Sequence, residues 1–430
     1  MTYSAVVHRV VLVGLATVLL AGNAVAESMQ QAWDTALAAD LGLKASREST
    51  ASAAEMVNAA KSSRLPNVAL EAGRVILEEA PAFNVDVLGQ SLQFPVMQSD
   101  STAYRAMATL PLYTGGRIGQ GIDAASAAYA AARLGETGQT QVVKLRVADA
   151  YVGVLRMEQL LKVAASHVSS LEAHAGQAGN LFKQGLVARN DLLSAEVARA
   201  DAQQIFLQTA NGLDIARAAY NRLLGRPLDQ AVVLDEISPE VVDEPLPTLT
   251  QRALARRSEL GMLSQQVEAL RHQAAAVSRE TYPQVALSGG YGYLEDRYLV
   301  PEGQWMVMLG LKWNVFDGGV ASHRTGAIEH QAAALANQRN ELASVIALQV
   351  RQTWLEVEET RKRSGVTLSA IAQADENLRV TRDRYANGLV THTEVLDAEA
   401  LRVHSETSHA QAVFDGVMAG LRLKWATGEL

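Results

Sequence analysis

Fifteen residues of this chain occur twice. FKQGLVARNDLLSAE at 182–196 returns as YANGLVTHTEVLDAE at 385–399, an offset of 203 positions (388 − 185). Six positions are identical, and Phe182/Tyr385, Gln184/Asn387, Asp191/Glu394 and Leu192/Val395 are close exchanges. Each copy interrupts a long helical pattern at a glycine, Gly185 or Gly388, a residue suited to the left-handed position that closes a helix. Each then runs through Leu-Val and restarts. Asn190 or Thr393 is placed to N-cap the new helix, with Asp191 or Glu394 in its first turn. The two stretches read as the tips of helical hairpins, at 182–191 and 385–397. The architecture is therefore expected to be a duplication, a stronger constraint than local propensity.

The same offset relates Gly115-Gly116 to Gly318-Gly319, Tyr151 to Trp354 and Gly225 to Gly428. Upstream the offset becomes 217, pairing Leu37 with Leu254, Pro66 with Pro283, and Val68-Ala69-Leu70 with Val285-Ala286-Leu287. Fourteen extra residues (217 − 203) must then lie between 70 and 115, as a longer connection in the first copy. The first repeat spans 27–225 and the second 249–430. Residues 226–248, with four prolines and a cluster of acids, read as the linker between them.

Within each repeat the order is helix–strand–strand–helix. A helix from Met29 to about Arg64 ends before Pro66, and one from Leu249 to about Arg279 ends before Pro283. Strands follow at about 68–77 and 104–113, then at 285–294 and 305–316. The first two are joined by a polar connection containing Pro81 and Pro95. The run from Gly116 to Lys183 contains no proline, and as one helix it is about 100 Å long at ~1.5 Å per residue. Val142, Leu145, Ala148, Val152 and Leu155 recur along it at the three- and four-residue spacing of a coiled-coil seam. The class is mainly α with a small β portion.

Composition narrows the setting. The 430 residues include no cysteine, which excludes disulfide scaffolds, cysteine metal sites, thiol nucleophiles and a lipidated N-terminal cysteine. A net charge of −8 gives no basic surface for nucleic acid. Residues 1–26 read as a secretory signal: His8-Arg9, an apolar stretch from Val10 to Ala21, and Ala24-Val25-Ala26 before Glu27. Cleavage there removes Arg9 and no acid, leaving −9. No later stretch holds about 18 uninterrupted apolar residues. An exported chain of this kind is periplasmic, secreted or inserted as a β-barrel.

The strand at 305–316 bears on that choice. Trp305, Val307, Leu309, Leu311 and Trp313 alternate onto one face, opposite Met306, Met308, Gly310, Lys312 and Asn314. This is how a lipid-facing barrel strand reads, and a soluble sandwich strand gives a similar dyad. Four strands cannot close a barrel, for which about eight is the minimum. An open sheet in lipid leaves two unpaired edges that hydrocarbon does not tolerate. Three chains of four strands each remove the edges.

With its duplicated order, the junctions LYTGG (112–116) and VFDGG (315–319), and the tips GLVARND (185–191) and GLVTHTEVLD (388–397), the chain resembles TolC-like outer-membrane efflux and secretion channels over essentially its whole mature length. The resemblance implies a homotrimer in the outer membrane of a Gram-negative bacterium. Its twelve-stranded transmembrane β-barrel would be continuous with a long periplasmic α-helical barrel. It implies a passive exit duct of a tripartite efflux or type I secretion system, opened at its periplasmic end by an adaptor and an inner-membrane pump. Linker 226–248 would then supply the equatorial belt, since the chain stops just after Gly428 without the C-terminal extension of some relatives.

By the same resemblance, Glu394 and Asp397 are expected in an acidic ring at the narrowest constriction; three apart, they share a helix face. Asp191, with Asn190 beside it, and Tyr385 are expected in a gate latch between neighbouring hairpins. Val390 stands where the best-known relatives carry a basic residue, so a second latch is expected to be missing. Gly185, Leu186, Val187 and Gly388, Leu389, Val390 are expected to receive the adaptor. His392 is expected to be an exposed tip residue, the alternative being a pH-dependent substitute for the missing latch, and His167, His174, His404 and His409 helix-surface residues. No catalytic residue, metal or cofactor is expected. GGRIGQG (115–121) lacks the Gly-Lys-Ser/Thr of a phosphate loop. The alternative reading is a soluble periplasmic coiled-coil scaffold.

Overall fold

A computed structural model describes residues 26–430; the signal segment, apart from Ala26, lies outside the described residues. The first repeat opens with α1 (Met29–Ala39) and α2 (Leu41–Ser62), which lead into strand β1 (Asn67–Ile76). A hairpin of β2 (Ala82–Val87) and β3 (Gln90–Pro95) precedes β4 (Asp100–Tyr113). Helix α3 (Arg117–Lys183) leaves the sheet and α4 (Arg189–Leu223) returns beside it. The second repeat consists of α5 (Leu246–Arg256), α6 (Ser258–Ser278), β5 (Gln284–Leu294), β6 (Gly303–Lys312), α7 (Val320–Ala386) and α8 (His392–Ala426). Helices α3 and α7 are each 67 residues long, about 100 Å at ~1.5 Å per residue. Among the described residues, no helix is long and apolar enough to cross a membrane.

The duplication holds at the level of single dihedrals. Gly115, Gly116, Gly185 and Gly225 have φ of 62°, 81°, 74° and 69°; their counterparts Gly318, Gly319, Gly388 and Gly428 have 70°, 87°, 69° and 76°. At Gly115 a β-carbon would also sit 2.5 Å from Cβ of Tyr282, so the junction needs glycine on two counts. The buried positions repeat as well. Val143, Val147, Leu43, Ala36 and Tyr220 line one core; Ile346, Val350, Leu260, Ala253 and Leu423, at the two offsets, line the other.

Three expectations are corrected. The helices expected at 29–64 and 249–279 each break once, at Asp40 (φ −60°, ψ 119°) and at Arg257 (φ −61°, ψ 116°), again 217 apart. No glycine or proline marks the break. The Asp40 carboxylate accepts from the Leu43 N–H at 2.7 Å, while Arg257 pairs with Glu259 at 2.9 Å and lies over the Trp425 ring at 4.3 Å. The polar connection between the first two strands is itself the β2–β3 hairpin, whose span 82–95 equals the fourteen-residue insertion. The last strand stops at Lys312 rather than 316, so Trp313 lies just beyond it and donates its indole N–H to the Thr281 carbonyl at 3.1 Å.

The sheet is antiparallel in the order β1-β4-β5-β6, leaving β1 and β6 as free edges. Opposed residues share a face. One face carries the rows Leu70–Ala106–Tyr291–Trp305 and Val68–Ala108–Gly289–Val307. The other is mixed: Glu71–Arg105–Gly292–Gln304 and Asn67–Thr109–Ser288–Met308 flank the row Ala69–Met107–Gly290–Met306. Neither face of β6 is covered: Trp305 is 80% exposed and Leu309 67% on the apolar side, Met308 54% on the other.

Candidate functional site at the hairpin tips

Both tips close by the same hydrogen bonds. Leu186 N–H donates to the Leu181 carbonyl and Gly185 N–H to Phe182, each at 2.9 Å. At the second tip Leu389 N–H donates to Arg384 at 2.9 Å and Gly388 N–H to Tyr385 at 3.0 Å. These are six-to-one closures through a left-handed glycine, and they turn the chain sharply enough to point the next side chain outward. Leu186 and Leu389 are each 68% exposed. Val187 and Val390 turn inward and pack on Leu378, Tyr385, Val395 and Ala398, so only the leucine of each Leu-Val pair is presented.

The helix starts differ from expectation. Helix α4 begins behind Ala188 with no side-chain cap, leaving Asn190 and Asp191 in its first turn, 3.3 Å apart through Asn190 Nδ2 and Asp191 Oδ1. Helix α8 begins behind Thr391, not Thr393. Glu394 N–H donates to Thr391 Oγ1 at 3.4 Å, and Thr391 N–H donates back to Glu394 Oε1 at 3.1 Å. This is a reciprocal capping box, so Glu394 has a structural task besides its charge. Glu394 and Asp397 are both exposed, bordering the buried stripe of Val395 and Ala398.

Tyr385 is buried, and its Oη has no hydrogen-bond partner in the protomer. Asp191 does not reach it. Burial first, and then the Asp191 charge, raise the Tyr385 pKa, so it stays a neutral donor.

Two clusters at this end were not legible in the sequence. His174 and His392, expected on the surface, are buried and face one another, Nε2 to Nδ1 at 2.9 Å. Burial, with His392 and Arg382 nearby, pushes His174 down to about 4; burial also lowers His392, against the pull of Asp191. Further along α8, Glu399 is 1% exposed and accepts from Arg402 at 2.8 Å and Arg382 at 3.1 Å. Its repeat partner Glu196 is exposed, and the positions matching Arg382 and His392 are Gly179 and Arg189. Glu399 and Arg402 thus have identical counterparts in Glu196 and Arg199, and only Arg382 and His392 are particular to the second hairpin. Among the described residues no cluster of three or more His, Asp or Glu side chains is arranged to hold a metal.

At the other end of the helices the segment before α1 is tethered to residues 226–248. Glu27 forms a parallel bridge with Leu234, and its carboxylate accepts from Arg226 at 2.6 and 2.9 Å and from Tyr220 Oη at 2.9 Å. Tyr151 Oη donates to the carbonyls of Glu27 and Asp235 at 2.7 and 2.9 Å.

The family described as Outer membrane efflux protein matches this chain twice, at residues 32–226 and 249–429. Outer membrane protein TolC of Escherichia coli strain K12 is 21% identical over 439 residues, covering 98% of this chain and 86% of its own length. Alkaline protease secretion protein AprF of Pseudomonas aeruginosa is 22% identical over 305 residues, 68% of this chain and 62% of its own. Among solved structures, the outer membrane protein VceC of Vibrio cholerae superposes with a TM-score of 0.78 at 17% identity, covering 93% of this chain and 96% of that one.

Proposed function

The chain belongs to the outer membrane efflux protein family, and from that premise we propose that three copies assemble into one hollow exit duct. It is an outer-membrane protein with a periplasmic helical extension, and the trimer follows from how its sheet is solvated. The observation that carries the reading is the four-stranded sheet, apolar along β6 on one face, mixed on the other, and unpaired at β1 and β6. In lipid each unpaired backbone group costs several kcal/mol, on the order of the 2–7 kcal/mol of an unbonded amide. Pairing β1 of one copy with β6 of the next removes both edges and closes twelve strands. Trp305 and Trp313, eight residues apart, fit a band about 25 Å tall between two aromatic girdles.

Below the barrel, α3/α4 and α7/α8 continue as a helical tube ending at the tips. Glu394 and Asp397 from three copies form an acidic ring there. Tyr385 and Asp191, unjoined within one protomer, join between protomers as a latch, with Asn190 orienting the carboxylate. Leu186 and Leu389 seat a periplasmic adaptor, which with an inner-membrane pump opens the entrance. Outward-facing Val307, Leu309 and Leu311 contact outer-membrane lipid. The family description favours efflux and the AprF relative favours protein export; both use the same passive duct.

The test is imaging of the detergent-purified particle. A threefold cylinder well over ~100 Å long is expected from the length of α3 and α7. A water-soluble monomer that takes up no detergent would defeat the reading and favour the soluble scaffold.

A further inference from the structure

Two helices from different repeats meet at the tip through imidazole rings. His174 of α3 and His392 of α8 are 3% and 6% exposed; their rings lie 4.9 Å apart with 10° between planes. Nε2 of His174 faces Nδ1 of His392 at 2.9 Å, and Tyr385 of α7 closes the cluster with its ring 5.2 Å from that of His174. The outer nitrogens, Nδ1 of His174 and Nε2 of His392, are buried without partners, as is Tyr385 Oη.

The contact depends on the charge of the pair. With both rings neutral, one facing N–H donates and the other nitrogen accepts, whichever ring is the donor. Either arrangement leaves one buried N–H unpartnered. A proton added to the pair buries a cation and a second unpartnered N–H, the costly case for a desolvated group. A proton on each ring sets N–H against N–H at 2.9 Å, and the contact cannot stand. The charged groups facing the pair are Arg382 of α7, which opposes protonation, and Glu399 of α8 and Asp191 of α4, which favour it. Glu399 is already held by Arg382 and Arg402.

We propose that His174 and His392 are a positioning pair that ties the second hairpin to the first while both are neutral and releases it on acidification, loosening the entrance. The inference rests on the duct reading. The tie is complete above the ordinary imidazole value of 6.5 and is lost as the pH falls through about 4, because the released rings take up protons first. For His174 alone this linkage favours release on the order of twenty-fold at about pH 5 relative to about pH 7.

Two measurements test it. In planar bilayers, the resting conductance of the full chain is expected to rise several-fold from about pH 7 to about pH 5. The double variant His174→Gln/His392→Asn, whose amides can still bond but do not titrate, should match the unaltered chain at neutral pH and stay flat. An equal acid response in the variant assigns the effect to other groups and overturns the proposal, as does a flat response in the unaltered chain. The second measurement does not require the variant to fold. Since the chain has no cysteine, Leu186→Cys/Leu389→Cys carries two nitroxides on exposed tip positions with both histidines intact. Their distance, read in trimers diluted with unlabelled copies, should lengthen at about pH 5; an unchanged distance overturns the tie. A preparation with no conducting trimer at any pH, but an acid-lengthened tip distance, sinks the duct reading and leaves the tie standing.

Discussion

Tyr385 shows how one side chain separates a contact within the protomer from one between protomers. Its hydroxyl is buried and unpartnered in the single chain, so Tyr385→Phe removes no bond there. Protomer stability should stay within about 0.5 kcal/mol or rise, since an unsatisfied buried polar group is a cost. If the hydroxyl reaches Asp191 of a neighbouring copy, resting conductance should nevertheless increase; wild-type conductance in bilayers argues against the latch. Glu394 needs similar care. Alanine there would remove a charge and a capping box together, and loss of a cap costs about 1 kcal/mol. Glu394→Gln with Asp397→Asn keeps the box and removes both charges. This pair should reduce block by multivalent cations without lowering thermal stability, and undiminished block removes the acidic-ring assignment.

At the scale of elements, the β2–β3 hairpin is the only piece of the first repeat, among the described residues, without a counterpart in the second, which joins β5 to β6 through residues 295–302. Its side chains Phe83, Val85, Leu92 and Phe94 are exposed in the protomer. Because the four-stranded sheet does not include it, replacing 82–95 by a short turn should leave trimer assembly intact. Loss of the heat-modifiable trimer on gels would show that the hairpin is needed for closure. The paired cores make a complementary prediction. Ile346→Ala and Leu43→Ala remove fully buried side chains and should each destabilise the chain by about 2–5 kcal/mol, read as a lowered denaturant midpoint. The elements also record where the sequence was readable. Gly185, Gly388 and the Gly-Gly junctions were legible because a left-handed φ admits few other residues. The breaks at Asp40 and Arg257 were not, because a single extended residue, capped by its side chain at Asp40 and uncapped at Arg257, leaves no compositional mark.

For the whole molecule, the question is which solvent meets which face of the sheet. Leu309→Arg puts a charge on the apolar side midway between Trp305 and Trp313, and should cost about 2–4 kcal/mol in lipid. Met308→Arg, one residue earlier, points to the mixed side and should be tolerated while altering conductance. The yield of membrane-inserted trimer checks both, and equal losses would mean that the two faces are not solvated differently. The buried histidines belong to this scale as well. His174 shares a stripe with Leu171, Ala175 and Ala178, and His392 one with Val395 and Ala398, so periodicity places both on core-facing sides; their pairing is not in that spacing, because the partner of each lies 218 residues away.

Repeat offset, glycine placement and strand alternation are covalent, local properties of the chain, and they alone determined the duplicated helix–strand–strand–helix order, the tips, and the apolar face of β6. The Glu399–arginine cluster was decided only when α7 and α8 packed together, and the imidazole pair only when the two repeats did. Burial, and with it the proton affinity of a histidine, depends on which distant side chains come to lie within a few ångströms, and residue spacing along one helix carries no record of that.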